Sequence, residues 1–539
     1  MIFKSKIPDI DIPTTGIYQF VTNNPNKVPD DKVMFFDGTT DKKLTFGELK
    51  RNTKTFAAGL IDKFNFKRGD VLAIVSPNDV DYPVVIFGAI AAGGKVTLVN
   101  PLFTVNEFEY QFSDSNSSII VVHPNILPAV KEAAQRLKIP KSHILLFGDK
   151  EIDGFQPFST SLISNNEEEF KPIEYTFEEA KSTTAYLCYS SGTTGKQKGV
   201  ETTHTNMVSN IIQIHSFETI LDSDSKLMGV LPFFHIYGLS VLIHYVLHLG
   251  ATTVVLPRFD LSTFCRLIQE HKINYAHIVP PIVLLLVKSP IVKDYDISSL
   301  QMVVVAAAPL SKELTIKFHE STKIPIKQGY GLTETSPVVT LGNDNVMVPG
   351  SAGELVPNME AKLISTDKKE LGYNEPGELC VRGPNVMKGY LNNEEMTKIS
   401  FDKDGFYLTG DVVFVDEQEN FFVIDRVKEL IKYKGFQVAP AELEAILIDH
   451  PVVSDAAVIG VEFEENTTEY PVAYVVLQEG NEKTPQLASE IQEYVRERVA
   501  PHKKLRGGVH FIDKIPKSVS GKILRKNLRE SAKIQFSES

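Results

Sequence analysis

Cysteine is scarce: the 539 residues contain three, Cys188, Cys265 and Cys380, far apart in the chain. An odd, scattered set builds neither a disulfide framework nor a zinc site. A reducing compartment is expected, with the thiols as buried apolar side chains. Long apolar runs are missing too. No uninterrupted stretch reaches eighteen residues: 240–256 contains His244, His248 and Gly250, and 273–287 contains His277 and two prolines, so neither is expected to cross a bilayer. The N-terminal MIFKSKIPDIDIP has charges and prolines where a signal peptide needs an apolar run, and the terminal FSES is not a peroxisomal S-K-L tail. Cytoplasm is the expected location. Excess positive charge is absent as well. A net charge of −12 without a long basic block disfavours a dedicated nucleic-acid or anionic-membrane binder.

What is present suits a multidomain globular chain. Apolar residues make up 42% and charged residues 23%, enough for substantial cores over about two to four domains. Residues 1 to 180 alternate helix and strand signals. Thr45-x-x-Glu48 and Thr104-x-x-Glu107 are capping boxes, the first opening a helix whose apolar face includes Leu49, Phe56, Leu60 and Ile61. Strands are expected at 71–75, 95–99 and 118–122, with a helix at 79–92, a rhythm that implies a parallel sheet covered by helices. Gly88, Gly93 and Gly94 lack G-x-G-x-x-G spacing and read as tight helix–strand packing. Residues 150–182, with Glu167, Glu168 and Glu169 in a row, read as a solvated connection. A second α/β lobe follows, with a helix at 205–217 and strands at 226–231, 251–256, 275–279 and 302–306. Residues 350–424 read as a small β-rich subdomain. The last 110 or so residues read as a separate α+β domain: helices at 440–449 and 485–499, strands at 453–461, 472–477 and 509–512. Residues 501–539 carry ten Lys/Arg against three Asp/Glu. Such a run is a solvated basic face or a set of cations aimed at a phosphate from a movable domain.

The chemistry-bearing stretches are few and dense. YSSGTTGKQKGV, residues 189–200, follows an expected strand at 184–189 and offers free N–H groups, hydroxyls and ammonium groups. It reads as a phosphate cradle or as a polar Gly-rich turn. It is not a Walker A loop, because Gln197 stands where the second glycine is required. QGYGLTETSP, residues 328–337, presents Tyr330 as a flat face between glycines, with Thr333 and Glu334 suited to a phosphate oxygen and its Mg²⁺; the alternative is a strand end and a capped turn. Asp411 and Arg426 could hold a ribose or form a surface ion pair. His235, within the apolar LPFFHIYG, is a satisfied core residue or a functional one. Lys432, Lys434, Gln437 and Lys522 lie in turn-rich segments, where a lysine is otherwise a solvated charge.

Taken in order, SSGTTGKQKGV, QGYGLTE, YLTGD, DRVKELIKYKGFQVAPAELE and PKSVSGKILRK resemble the adenylate-forming superfamily of acyl-CoA synthetases, beetle luciferases and peptide-synthetase adenylation domains. The resemblance runs from about Thr45 to Leu528. YKGFQVAPAELE and FFHIYG are most similar to 4-coumarate–CoA ligases and their luciferase relatives. Lys196-Gln197 departs from the family's apolar residue and Pro, while the hydroxyls and Lys198 remain. The resemblance implies an α/β fold: residues 1–425 as a large adenylation domain of two α/β lobes plus the β-rich subdomain, then a mobile α+β domain, 429–539, with a hinge near Lys428. It implies a two-step ligase using ATP, Mg²⁺, coenzyme A and a small carboxylic acid, through an acyl-adenylate to a thioester. Ser190, Ser191, Gly192, Thr193, Thr194 and Lys198 would hold the β- and γ-phosphates. Glu334 would bind Mg²⁺, Thr333 the α-phosphate, and Asp411 with Arg426 the ribose. Ala307, Gln328, Gly329 and Tyr330 would surround the adenine and acyl site. Lys522 would bridge acid and α-phosphate in the first step. Rotation about the hinge would then exchange it for the loop around Lys434 and Gly435, with Lys432 and Gln437 near CoA and AMP, and His235 would reorient.

Tyr237, Gly331, Pro337 and Val338 match the hydroxycinnamate-pocket positions of that family. Ala307, where plant coumarate ligases often carry Gly, and Val241, in place of a small polar residue, make the wall narrower and more apolar. Without a polar group to pair a phenol, little preference for one is expected, and hydroxycinnamates, other aryl acids and medium-chain fatty acids stay open. A luciferase-like oxygenase, a free-standing carrier-loading adenylation enzyme (no carrier domain follows Ser539) and a silent nucleotide-binding relative are the competing readings.

Overall fold

The computed structural model describes residues 1–161, 170–190, 197–434, 436–462, 468–518 and 521–537. Among them the chain builds two large α/β sheets, a small antiparallel sheet and a separate C-terminal α+β unit. The expected alternation of strand and helix is present. Val71–Val75, Lys95–Val99, Ser117–Val122 and Ile144–Leu146 run parallel beside Thr184–Ser190. Both capping boxes are formed, at the helices Phe46–Phe64 and Val105–Asp114.

The two lobes are not consecutive in sequence. Val33–Asp37 and Lys43–Thr45 leave the first lobe and close the edge of the nine-stranded second sheet, next to Thr252–Val255. Lys198–Thr203 and Gly389–Tyr390 instead complete the seven-stranded first sheet, antiparallel to their neighbours. The reversal after Ser190 therefore keeps the chain in the first sheet for one more strand. The expected β-rich subdomain is a five-stranded antiparallel sheet of Glu360–Ile364, Gly377–Arg382, Tyr407–Val415 and Phe421–Arg426, with Phe3–Lys4 added from the N-terminus.

Several expectations change on packing. Ile61 is 38% exposed, because it lies off the stripe formed by Leu49, Phe56 and Leu60. Gly88 packs against another helix rather than a strand: a Cβ there would strike Phe56 of Phe46–Phe64. Gly94 likewise makes room for Phe66. The 150–182 connection is more than a solvated tether. Phe155, Phe158 and Tyr175 are buried, and Phe177–Ser182 is a capped helix. Glu167, Glu168 and Glu169 lie outside the described residues.

After Arg426 the fold restarts. A hairpin, Ile431–Tyr433 with Phe436–Val438, precedes the sheet Val453–Val461, Tyr470–Leu477 and Val509–Phe511. The helices Pro440–Asp449 and Pro485–Arg496 cover it, joined by Arg525–Ser537, which was not foreseen. This unit has its own apolar cores, around Leu443, Val458 and Val475 and around Ile459 and Leu528. It touches the large region through specific polar contacts. Lys288 Nζ donates to the carbonyls of Ile448 at 3.2 Å and Val453 at 2.7 Å, and Lys317 pairs with Asp449. No helix of the described residues is long and apolar enough to cross a membrane.

Candidate active site

The cavity that gathers most of the expected residues opens at the carboxyl ends of three neighbouring parallel strands, Tyr275–Ile278, Met302–Val305 and Ile326–Gly331. Open α/β sheets bind ligands at that edge. Its empty space is about 600 Å³, mouth included, within the range of small-molecule sites. His235, Tyr237, Val241, Ala307, Gly329, Tyr330, Gly331, Thr333, Pro337, Val338 and Lys522 all line it.

Local sequence explains the shape. Gly331 lies where Ile326–Gly331 meets Val338–Leu341 at a register shift, and a Cβ there would land on the Pro337 carbonyl oxygen. Ala307 is in the left-handed region, φ 73°, a conformation that costs a residue with a Cβ about 1–2 kcal/mol. Val241 sits on a wide π-type turn, Leu239–His244, of the kind that recurs at functional sites. Gln328 is buried but does not line this cavity. Its Oε1 accepts from the Leu310 backbone N–H at 2.9 Å, bracing the loop that carries Ala307.

Lys522 reaches this wall from the C-terminal unit. Its loop turns at Gly521, φ 81°, against Val279 and Pro281 of the large region. Burial pulls the Lys522 pKa down and Arg426 adds to that, while Asp411 and Glu334 oppose it. Lys522 is thus set among those three charged side chains. Asp411 and Arg426 are cross-strand partners, Nε to Oδ1 3.4 Å apart, and Tyr330 donates its hydroxyl to Asp411 Oδ2 at 2.6 Å. Asp411 is only 5% exposed, so this is no surface pair. His235 accepts from the Tyr237 N–H at 3.3 Å, capping the short turn Ile236–Gly238. Burial and then the Lys522 charge hold its pKa down to about 3. It is a neutral imidazole in the cavity wall, not a core histidine remote from chemistry.

Beside the cavity, Glu334 accepts from Ser190 Oγ at 2.9 Å and from Tyr390 at 3.0 Å. Lys198 lies over the Tyr390 ring, 4.6 Å from its centroid, and its pKa is lowered by burial against the pull of Glu334. The first and second dense motifs therefore meet at Glu334. Tyr390 was missed; a lone tyrosine in GYLNN carries no signal of its own. Ser191, Gly192, Thr193, Thr194 and Gly435 lie outside the described residues.

Lys432, Lys434 and Gln437 are not brought to the cavity. All three are exposed on the hairpin, where Lys432 gives its backbone N–H to Glu469 at 2.8 Å.

The expectation of an acyl pocket with no polar group to pair a phenol does not hold. Glu218 and His277 also line the cavity. Lys327 binds Glu218 at 3.1 Å and Asp344 at 2.5 Å, all inside the protein. A lysine on an inward position of Ile326–Gly331 was the available signal, since a buried ammonium needs counter-charges.

Residues 21–391 match the family described as AMP-binding enzyme, and residues 442–522 match the AMP-binding enzyme C-terminal domain. The chain belongs to the AMP-binding enzyme family. This AMP-binding enzyme is 39% identical to a probable 4-coumarate–CoA ligase 1 of Dictyostelium discoideum over 98% of its own length and 97% of that protein. It is also 39% identical to a 4-coumarate–CoA ligase of Pinus taeda, covering 98% and 97%. Among solved structures, ATP-bound MatB from Rhodopseudomonas palustris aligns at 26% identity with a TM-score of 0.85, covering 96% of this chain and 99% of that one. The apo form of the same protein aligns less well, at 25% identity and a TM-score of 0.74, covering 97% and 99%. On this footing the AMP-binding enzyme is an AMP-forming acid–CoA ligase, with ATP and CoA as co-substrates.

Proposed function

We propose that the cavity binds the acyl part of an aryl-propenoic or medium-chain fatty acid, and that the residues around it run the first of two half-reactions in the arrangement seen here. The single observation that carries this reading is Lys522, delivered by the C-terminal unit into the acyl cavity beside Asp411, Arg426 and Glu334. The attacking carboxylate and the triphosphate are both anionic, so a cation between them lowers their repulsion and stabilises the charge of the transferring phosphoryl group. A carboxylate oxygen attacks the α-phosphorus; the bond to the bridging oxygen breaks, and pyrophosphate leaves with that electron pair. The CoA thiol then displaces AMP from the acyl carbonyl.

Asp411 and Arg426 would fix the ribose, Ser190 and Lys198 the outer phosphates, and Thr333 the α-phosphate. Mg²⁺, when bound, would supply neutralisation of the phosphate charge. The described residues hold no cluster of three metal-ligating side chains. Glu334, a buried hard carboxylate, would be the residue that holds this ion. Division into residues 1–425 and 429–539 with a hinge near Lys428 would let Lys432, Gln437 and the 434–435 turn replace Lys522 for the thiol step. The higher TM-score to ATP-bound than to apo MatB supports an adenylation-like arrangement. The 4-coumarate–CoA ligase relatives favour the aryl-propenoic side. The oxygenase, carrier-loading and silent readings have no observation in their favour.

Acid-dependent ATP–pyrophosphate exchange across aryl and fatty acids, then thioester detection with CoA, tests the proposal. Exchange without thioester would sink the ligase reading. A second result follows from Lys522. Its active form is the ammonium, present below its pKa, and burial and Arg426 lower that pKa. The alkaline limb of kcat/KM for adenylation, which reports the free enzyme, should therefore fall below the ordinary lysine value of about 10.4. A limb at or above that value would contradict the placement.

A further inference from the structure

The polar end of the cavity has unmet hydrogen-bonding capacity. Glu218 is 2% exposed, and both of its neighbours bind the same oxygen: Lys327 Nζ at 3.1 Å and the Tyr275 hydroxyl both donate to Oε2. Oε1 is buried and has no hydrogen-bond partner among the described residues. His277, also 2% exposed, pairs Nδ1 with the Tyr237 hydroxyl at 3.0 Å, and its Nε2 is buried without a partner among the described residues. The two residues belong to one cluster, since the ring of Tyr275 lies 5.3 Å from that of His277. Both line the cavity that Lys522 closes.

These atoms are complementary. With the Tyr237 hydroxyl donating to Nδ1, the ring proton sits on Nε2, which is then a donor, while Glu218 Oε1 is an acceptor. Leaving buried polar atoms unpaired is costly, and buried polar groups in native proteins are nearly always paired. One small group meets both needs: a hydroxyl, which donates once and accepts. An alkyl or unsubstituted aryl terminus would leave both atoms bare, and a methoxy group supplies an acceptor only. Ile214, Val241, Val304 and Leu341, which also line the cavity, offer such a hydroxyl no side-chain partner.

We propose that Glu218 and His277 are specificity-determining residues that read a hydroxyl at the end of the acid opposite its carboxylate. Lys327 and Asp344 act behind them as positioning residues that keep Glu218 in place. This rests on the ligase reading, and it narrows the substrate to a hydroxy acid.

The test uses the full-length protein and matched acids in ATP–pyrophosphate exchange: 4-hydroxycinnamate against cinnamate and 4-methoxycinnamate, and 8-hydroxyoctanoate against octanoate. A site built around a hydroxyl should favour it in one series by ~100-fold or more in kcat/KM. The series that shows this identifies the acid as aryl or alkyl. His277→Leu should cut that ratio by about tenfold or more, whereas a merely structural residue would lower both members of a pair together. If that variant does not fold, the wild-type ratios and Glu218→Gln decide. Ratios within about threefold in both series, as when ordered water fills the polar end, overturn the inference and leave the ligase reading standing. Exchange with no acid at all removes both.

Discussion

Lys522→Ala should abolish acyl-adenylate formation while thioester formation from supplied acyl-AMP survives. Removing one preorganised group aimed at developing charge costs about 10²–10³ in rate, and Lys522 is a full charge in a buried setting. Three other charged side chains, Asp411, Arg426 and Glu334, stay in place without it, so the loss should appear in the first half-reaction rather than in ATP binding. Single-turnover assays of the two half-reactions check this. Equal loss in both would show that Lys522 serves the fold or the nucleotide generally, and the division of labour between two faces of the C-terminal unit would fall with it.

The second large effect concerns a residue without a side chain. Gly331→Ala should lower adenylation by ~10² or more, because displacing bound reactants by about an ångström has that consequence. The added methyl would sit on the Pro337 carbonyl oxygen and against Val338, at the start of the neighbouring strand, and forcing those segments apart should also destabilise by about 1–3 kcal/mol. Gly329→Ala is the internal control. Its Cβ would lie 3.1 Å from a Leu341 methyl, which a side-chain rotation can move, and 3.2 Å from the Thr340 carbonyl oxygen, a far milder approach than that of a Gly331 Cβ to the Pro337 oxygen. Denaturant unfolding and exchange rates together separate the two variants. Wild-type activity in Gly331→Ala would mean the acid does not occupy this slot.

The outcome tracks the range of the interactions involved. Capping boxes at Thr45 and Thr104 were legible because the partners lie three residues apart. The order of the dense motifs was legible because each carries its own chemistry, and the structure unites Ser190 with Glu334 and Tyr330 with Asp411 across 144 and 81 residues. What escaped was non-local. The exchange of edge strands between the two large sheets leaves no trace in periodicity, since Val33–Asp37 reads as a strand whichever sheet receives it. Glu218 and His277 escaped for the same reason: each is unremarkable in sequence, and only the sheet brings Tyr275, Lys327 and Asp344 around them. The helix Arg525–Ser537 was obscured by its basic composition, although Leu528 and Ala532 are buried.

The threading of the sheets bears on how the protein is made. Phe3 pairs with Ala361, and at about 5–20 residues per second on the ribosome the first strand waits on the order of half a minute for its partner. None of the three sheets of the large region is complete until Leu355 has been synthesised, and the seven-stranded one awaits Tyr390. Nascent chains stopped before Val255 carry Val33–Asp37 without its neighbour Thr252–Val255, and those stopped before Tyr390 carry Lys198–Thr203 without Gly389–Tyr390, open edges that are templates for aggregation. Premature termination in the first two-thirds of the message should therefore yield insoluble product rather than a smaller working enzyme.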